Sequence, residues 1–538
     1  MPKFEWVILN KTSNNTLTPD LLSQTLIKNR KISNLEDFLS PNLNSFLNLN
    51  FGEIDKAVSR IKKAIENREK IVVYSDYDAD GICGTAILWE TLHRLKANVL
   101  PYIPDRVSEG YGLNNEAIKK LKDDGVGLII TVDHGVAAFE EIEYAKSLGV
   151  DVIITDHHVL PEKLPVPFAF IHTTELAGAG VAFRFAIEIG RIYGIESEVM
   201  NKIELAALAT IADLVPLIGY NRAIVKVGLE KINHTQRVGL LALFEQAGII
   251  KGKIGVYEIG HLIAPRINAS GRLENAISSL RLLCTNNPKQ ARVIARELSI
   301  TNTKRQDLTQ NAVEQARNMV DSNRILVLAH SEWHEGIIGL VASRVVEEFK
   351  RPAIAISKGQ IFSKGSARSI AGFNIVEAIR SCEDLLIKAG GHPMAAGFTI
   401  ETKNIQKFIE KINIYIEKIT NGKEILPQLL IDCHLYPQNV NFDHFNTVQK
   451  FSPFGIGNNE PVFIAKKASV EEVRTVGNTN RHLKLKVSGM EAIGFNLGGF
   501  VSQIRPRMQI DLAYCISLNE WNGSSNLQMK IKDLDLDG

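Results

Sequence analysis

The stretch IVVYSDYDADGICGTAIL (residues 71–88) decides the fold. Ile71, Val72, Val73 and Tyr74 are a short, apolar, largely β-branched run, the signature of a buried strand. The run breaks at Asp76-Tyr77-Asp78-Ala79-Asp80-Gly81, and residues 82–96 then take the apolar spacing of a helix. Three carboxylates at alternate positions repel one another at a partly desolvated strand end, so they need cations. D-x-D-x-D-G also opens an EF-hand calcium loop. Here, however, a strand precedes the motif, and Ile87 occupies the twelfth position, where that loop requires a bidentate glutamate. The stretch is expected to be a catalytic divalent-metal site at the end of a strand.

On either side, strands and helices alternate. Residues 54–67 form an amphipathic helix leading into the first strand. Strands are expected at 98–103, 127–132 and 151–155, and helices at 114–123 and 136–148. Such alternation predicts a parallel sheet covered by helices on both faces, with ligands bound beyond the carboxyl ends of the strands. The polar residues fall there. LIITVDHG places Asp133 and His134 after one strand, and DVIITDHH places Asp156, His157 and His158 after the next. Asp213 ends the helical run IELAALATIADLVPL. A single Asp in such places is commonly a helix cap or turn residue, whereas three strands converging on one site point to chemistry. Asp-rich sites with one or two imidazoles suit Mn²⁺ or Mg²⁺ better than zinc. Five or more candidate ligands suggest two ions about 3.5–4 Å apart, the arrangement used for displacement at phosphorus.

Composition sets looser bounds. The 538 residues are 45% hydrophobic and 23% charged, with a formal net charge of +2, so a nucleic-acid surface must come from local clustering. The five cysteines are scattered and form no C-x-x-C, which favours reduced thiols over a disulfide framework or a zinc site. The N-terminal MPKFEWVILNK lacks the long apolar region of a signal peptide, and no apolar run is long enough for a membrane span. A cytoplasmic protein with no membrane partner is expected.

DYDADG, TVD-x-G, TDHH and ATIADLVPL together resemble the DHH phosphoesterase superfamily. Downstream, PRINASGRL (265–273), NTKRQ (302–306), HEGIIGLVASR (334–344), KGSARS (364–369), KAGGHPMAAG (388–397) and FSPFGIGNNEPVF (451–463) are similar to the RecJ family of single-strand-specific DNA exonucleases. The likeness runs through nearly all of the chain after residue 50. It implies an α/β, two-lobed DHH phosphoesterase core, built from a parallel sheet with flanking helices and a DHH-associated α/β domain joined by a long helix, followed by an OB-fold β-barrel. The implied division is an N-terminal extension (1–50), a metal-binding catalytic domain (51–220), a helical region with the connecting helix (221–321), a DHH-associated substrate-binding domain (322–424) and an OB-fold domain (425–538).

The resemblance also implies roles. Asp76, Asp78, Asp80, Asp133, His157 and Asp213 match the metal ligands, with Asp133 as bridge. His158 would sit beside the scissile phosphate and Asp156 would orient the histidines. Arg106, Asn268, Arg272, Arg305, Ser366, Arg368, Gly390, Gly391 and His392 would contact the substrate strand, Ser366 and Arg368 from a Gly-led loop. His134 departs from the family pattern and could be an outer ligand or merely lie alongside. In the barrel, eleven Lys/Arg meet eleven Asp/Glu over residues 425–538, so bulk charge does not announce DNA binding. Arg481, Lys484, Lys486 and Trp521 nevertheless interleave cations with an aromatic ring, the pattern that holds phosphates and stacks bases.

The implied activity is 5′→3′ hydrolysis of single-stranded DNA to nucleoside 5′-monophosphates with two Mn²⁺ or Mg²⁺ ions, in repair and recombination. A single-strand-binding protein or a helicase is the implied partner. Two alternatives stand beside it: a DHH-type phosphodiesterase of short oligonucleotides or cyclic dinucleotides, and a non-catalytic single-stranded-DNA-binding scaffold.

Overall fold

The structure is a computed structural model that describes residues 4–10, 17–106, 108–421, 426–477, 480–521 and 524–536. The chain divides into two compact units. One comprises Glu36–Arg305 with Pro453–Asn459, and the other Met1–Leu35, Gln306–Ser452 and Glu460–Gly538.

The first unit is built on five parallel strands, Lys70–Ser75, Val99–Tyr102, Val126–Val132, Asp151–Asp156 and Ala169–His172. In space, Val99–Tyr102 lies at one edge, followed by Lys70–Ser75, Val126–Val132, Asp151–Asp156 and Ala169–His172. Alternate residues of each strand face opposite ways. Ile71, Val73, Leu128, Ile130 and Ile153 join the core beneath the helices Ile54–Glu66, Ala79–Arg94 and Gly178–Ile192. Val72, Tyr74, Ile129, Val152 and Ile154 join the opposite core, under Asn115–Asp123 and Phe139–Ser147. The expected doubly covered parallel sheet is therefore present. Its chain order reverses between Lys70–Ser75 and Val126–Val132, a topological switch point of the kind that binds ligands.

Two expectations change here. The fifth strand, Ala169–His172, was not anticipated, because only four residues follow a proline-interrupted stretch. Pro265-Arg266-Ile267-Asn268 reads in the sequence as a polar interruption of a helical region, yet Pro265 lies within a helix, Ala264–Leu273, continuous with the π-helical turn Glu258–Ile263. Pro265 has no N–H to give the helical ladder, and it directly follows the wider π-helical turn. The long helix is Pro288–Arg317, 30 residues, about 45 Å at 1.5 Å per residue.

The second unit holds a five-stranded mixed sheet in the order Leu386–His392, Ala395–Glu401, Phe362–Arg368, Ala353–Ser357, Leu326–His330. KGSARS is therefore part of a central strand and not a loop. Ser363 and Ala367 are buried with Gly365, while Ser366 and Arg368, two apart, share the opposite face. The barrel closes as expected. Phe463–Val476 pairs with both His482–Val487 and Gln509–Trp521, and the circuit is completed through Met490–Gly494 and Ser524–Asp535. PVFIAKKASV and EVRTVG read in the sequence as two short strands, but the structure joins them in one, Phe463–Val476. Register shifts between Ala465 and Ala468 and between Val470 and Glu472 bend it round the barrel. At the N-terminus, Glu5–Ile8 pairs in parallel with Gln428–Ile431. Among the described residues no helix is long and apolar enough to cross a membrane.

Candidate metal centre

Acidic and imidazole side chains gather at the switch point. Asp78 caps the helix Ala79–Arg94, accepting from the N–H groups of Asp80 (2.9 Å) and Gly81 (3.2 Å). This cap explains why the motif turns from strand to helix without a longer loop. Asp80 is buried and accepts N–H bonds from Gly178 and Ala179, both 2.7 Å, at the start of Gly178–Ile192. That helix N-terminus offsets some of the cost of burying a carboxylate. Asp133 follows Val126–Val132 with φ +68°, a left-handed conformation that is uncommon outside glycine and typical of functional sites. Gly178 leaves room for it: a Cβ there would fall 2.5 Å from Asp133 Oδ1.

His157 Nε2 lies 3.1 Å from Asp133 Oδ1, 3.6 Å from Asp213 Oδ2 and 3.7 Å from Asp80 Oδ2. Three sets of possible ligands overlap: Asp76, Asp78 and Asp133; Asp80, His157 and Asp213; and Asp133, His157 and His158, with donor atoms in each set within 4.8 Å of one another. Burial, then repulsion from Asp78, pushes Asp76 well above the carboxylate range and Asp80 up to about 7. Burial followed by repulsion from Asp80 raises Asp133 strongly and Asp213 to about 9. Burial, with His158 nearby, pushes His157 down to about 4, leaving a neutral imidazole. Asp133 Oδ1 is buried and, among the described residues, has no hydrogen-bond partner. An oxygen-rich set with one neutral imidazole and an orphaned, buried carboxylate oxygen at its middle fits hard divalent cations.

Asp156 is engaged differently. Its Oδ1 accepts from the N–H groups of His157 (2.7 Å) and His158 (3.1 Å) and pairs with His158 Nδ1 at 2.8 Å, while Oδ2 accepts from Val136 N–H at 3.0 Å. Burial is the largest effect and opposes its charge, but the hydrogen bond and charge of His158 together with the N–H bonds from Val136 and His158 outweigh it and hold the carboxyl well below its usual range. The same contact, against the effect of burial, raises His158. Asp156 thus orients His158, the arrangement that fixes an imidazole beside a reacting group. His134 belongs elsewhere. It is buried against Tyr74, its Nε2 donates to Tyr74 O at 3.1 Å, and burial lowers it to about 4.

The other expected contacts are dispersed. Asn268 accepts from Ala79 N–H (2.7 Å), bracing the metal loop, and Gly271 allows its helix to approach Tyr77 O, which a Cβ would meet at 2.2 Å. Arg106 stacks on the Tyr77 ring at 4.9 Å. Arg272, just after Gly271, is near enough to lower Tyr77 electrostatically, although burial is the larger effect and raises that phenol. Arg305 lies on the long helix, bonded to Asn302. In the second unit, Arg368 Nη1 reaches Ser366 Oγ at 3.4 Å, and burial lowers the guanidinium. Gly339 permits this pair beside the helix Ile338–Phe349, since a Cβ there would lie 3.1 Å from Ser366 Oγ. Gly390, Gly391 and His392 form an exposed edge strand, and Gly391, at φ +145°, closely approaches its own hairpin partner at Ala395 O. On the barrel, Lys484 pairs with Glu491 (2.8 Å) and Lys486 with Glu471 (3.3 Å). Arg481 precedes His482–Val487 and is exposed. The side chain of Trp521 lies outside the described residues. Gly178, Ala179 and the bracing role of Asn268 were missed in the sequence; only the run of small residues at 177–180 signalled a close approach.

Comparison with known proteins agrees with this geometry. Family models match at 70–212 (DHH family, N-terminal domain), 322–418 (DHHA1 domain) and 431–533 (RecJ OB domain). A Thermus thermophilus protein, the single-stranded-DNA-specific exonuclease RecJ, is 36% identical over 89% of this chain and 70% of its own length. The chain belongs to the RecJ family. The RecJ of Bacillus subtilis is 38% identical over 89% of the chain, which spans 63% of that relative's length. The crystal structure of Thermus thermophilus RecJ in complex with Mn²⁺ superposes with a TM-score of 0.87 at 30% identity, covering 99% of this chain and 79% of that one.

The raised carboxyls predict a pH signature. In the metal-free protein the folded state holds protons that the unfolded state has released above about pH 4. The unfolded state therefore binds fewer protons, and stability falls as pH rises towards the folded values of about 7 for Asp80 and about 9 for Asp213. Divalent ions compete with those protons. The rise in melting temperature on adding Mn²⁺ should therefore be larger at pH 8 than at pH 6, as read by scanning calorimetry with and without chelator.

Proposed function

We propose that the chain is a metal-dependent exonuclease that degrades single-stranded DNA 5′→3′ to nucleoside 5′-monophosphates. The observation that carries this is the gathering of Asp76, Asp78, Asp80, Asp133, His157 and Asp213 at one switch point, with Asp133 and His157 each shared between possible ligand sets. Bound divalent ions would supply Lewis-acid chemistry, making water nucleophilic at neutral pH and offsetting charge on the phosphodiester oxygens. Asp133, fixed in its left-handed conformation, and Asp80, fixed by the Gly178 and Ala179 N–H groups, hold their oxygens in place before substrate arrives. His158, oriented and kept basic by Asp156, steadies charge on the phosphoryl oxygen.

Ser366 and Arg368 hold the terminal 5′-phosphate, with Arg106, presented on the Tyr77 ring, as a further contact to the strand. A buried guanidinium stripped of water binds phosphate more strongly than one in solvent. Mn²⁺ or Mg²⁺ is the cofactor and single-stranded DNA the partner. Single-strand-binding protein and helicase are further partners by family resemblance. On the barrel, Lys484 and Lys486 would exchange their glutamates for backbone phosphates.

The test is Arg368→Ala on strands with and without a 5′-phosphate. One charge-assisted contact is worth about 1.5–3 kcal/mol. We expect kcat/KM on the phosphorylated strand to fall about ten- to hundredfold, with little change on the 5′-hydroxyl strand. Equal losses on both would remove Arg368 from the 5′ end.

A further inference from the structure

Within the unit that carries the metal centre, a second cavity of about 610 Å³ opens at the far ends of two of its helices. Trp89 and Glu90 reach it from Ala79–Arg94, whose first turn holds Asp80. Lys202 and Glu204 reach it from the start of Ile203–Ala212, which ends at Asp213. Each helix covers about 15 Å between cavity and metal ligand. The volume lies within the about 300–1,000 Å³ of small-molecule sites: enough for one nucleotide and too little for a strand.

The floor is a partly buried charge network. Arg237 bonds Glu90 (2.6 Å) and Glu204 (2.7 Å), and Lys202 bonds Glu90 (2.5 Å). Among charged lining residues, Arg94, Lys202, Lys231 and Arg237 outnumber Glu90, Glu198 and Glu204 by one, so the cavity favours an anion, unlike the acidic centre. Among the described residues, Lys202 and Lys231 each give one N–H, to Glu90 and Asn201 respectively, and an ammonium carries three, so donors remain for a phosphate. Beside them, exposed His93 stacks on Trp89 with ring centroids 4.9 Å apart and an interplanar angle of 14°. Its outer face is a platform for a planar ring. Among the described residues, Trp89 Nε1 and Glu204 Oε2 are buried without hydrogen-bond partners, leaving the wall beneath the His93 ring with an unsatisfied donor and acceptor.

We propose that this cavity is a regulatory site for a free nucleoside 5′-monophosphate, the product class of the reaction proposed above, on which the regulatory sense rests. The phosphate lies against Lys202 and Lys231 and the base against His93. Occupancy biases the two helices that present Asp80 and Asp213, so product accumulation slows turnover away from the metals.

The test is titration calorimetry of the full chain with dAMP in chelator, followed by turnover with Mn²⁺. Saturable binding should weaken about tenfold in Lys231→Glu and in His93→Ala, each the loss of one contact, and should persist in Asp133→Asn. An equal concentration of inorganic phosphate should not displace dAMP. Added dAMP should lower kcat of the parent without raising KM, and Lys231→Glu should need about tenfold more dAMP for the same inhibition while keeping the uninhibited rate. No saturable binding, binding lost in Asp133→Asn but kept in Lys231→Glu, or displacement by phosphate alone would each overturn the proposal. Exonuclease activity without dAMP binding sinks the cavity site alone; dAMP binding without exonuclease activity sinks the functional assignment alone.

Discussion

Asp133→Asn should lower turnover of single-stranded DNA by on the order of a thousandfold, the scale of losing a central charge-stabilising group, while the metal-free protein melts at a higher temperature than the parent. Both effects follow from Asp133 being buried among repelling carboxylates that push its own pKa well up. Asn accepts the φ +68° backbone better than most residues, and its amide can donate to the neutral His157 imidazole, whose Nε2 lies 3.1 Å from Asp133 Oδ1. It removes the repulsion and also the anionic oxygen that ions require. Strand binding, which rests on cationic residues, should be largely unchanged. A scaffold that only binds DNA would have no turnover to lose. Single-turnover digestion with Mn²⁺, paired with calorimetry in chelator, measures both halves. A variant that turned over within tenfold of the parent would remove Asp133 from the centre.

Gly178→Ala should cost nearly as much without touching an ionisable group. The added Cβ would fall 2.5 Å from Asp133 Oδ1 and 2.7 Å from its Cβ, in a helix whose N–H groups also hold Asp80. Overpacking of this kind costs about 1–3 kcal/mol, which the unit should survive. The carboxylate, displaced by part of an ångström, should not. We expect roughly a hundredfold loss of turnover, consistent with the sensitivity of reaction geometry to small misplacement, and loss of most of the Mn²⁺-dependent rise in melting temperature. A variant that kept the Mn²⁺ response while losing activity would place the effect of Gly178 on substrate instead.

What the sequence disclosed follows physical locality. Strand ends can be read because apolar runs stop abruptly at charged residues, so Asp76 to Asp80, Asp133 and Asp156 to His158 were all placed at the correct edge of the sheet. Asp213 closes a helix on a distant part of the chain, and nothing local separates it from an ordinary helix-terminal residue; its place at the end of an apolar helix made it a candidate, and the family resemblance gave it the role of ligand. Gly178 acts on the side chains of Asp80 and Asp133, and Asn268 on the backbone N–H of Ala79, all distant in the chain, so beyond the run of small residues at 177–180 their spacing carries no signal. KGSARS misled because Gly and Ser suggest a loop, whereas Gly365 is needed in a strand to admit the Phe398 ring, 2.2 Å from where a Cβ would lie. His134 sits one residue beyond Asp133, yet its ring turns away to Tyr74, a direction set by the turn in which Asp133 and Gly135 both take positive φ.

The most direct measurement is digestion in Mn²⁺ of a single-stranded DNA about forty nucleotides long, spanning several single-strand binding sites and labelled separately at each end, beside the same strand in a blunt duplex and a trinucleotide. Rapid release of the 5′ label as mononucleotide from the single strand, with the duplex spared, is the predicted result. Cleavage of the trinucleotide with the long strand untouched, or tight binding with no cleavage of any substrate, would contradict it.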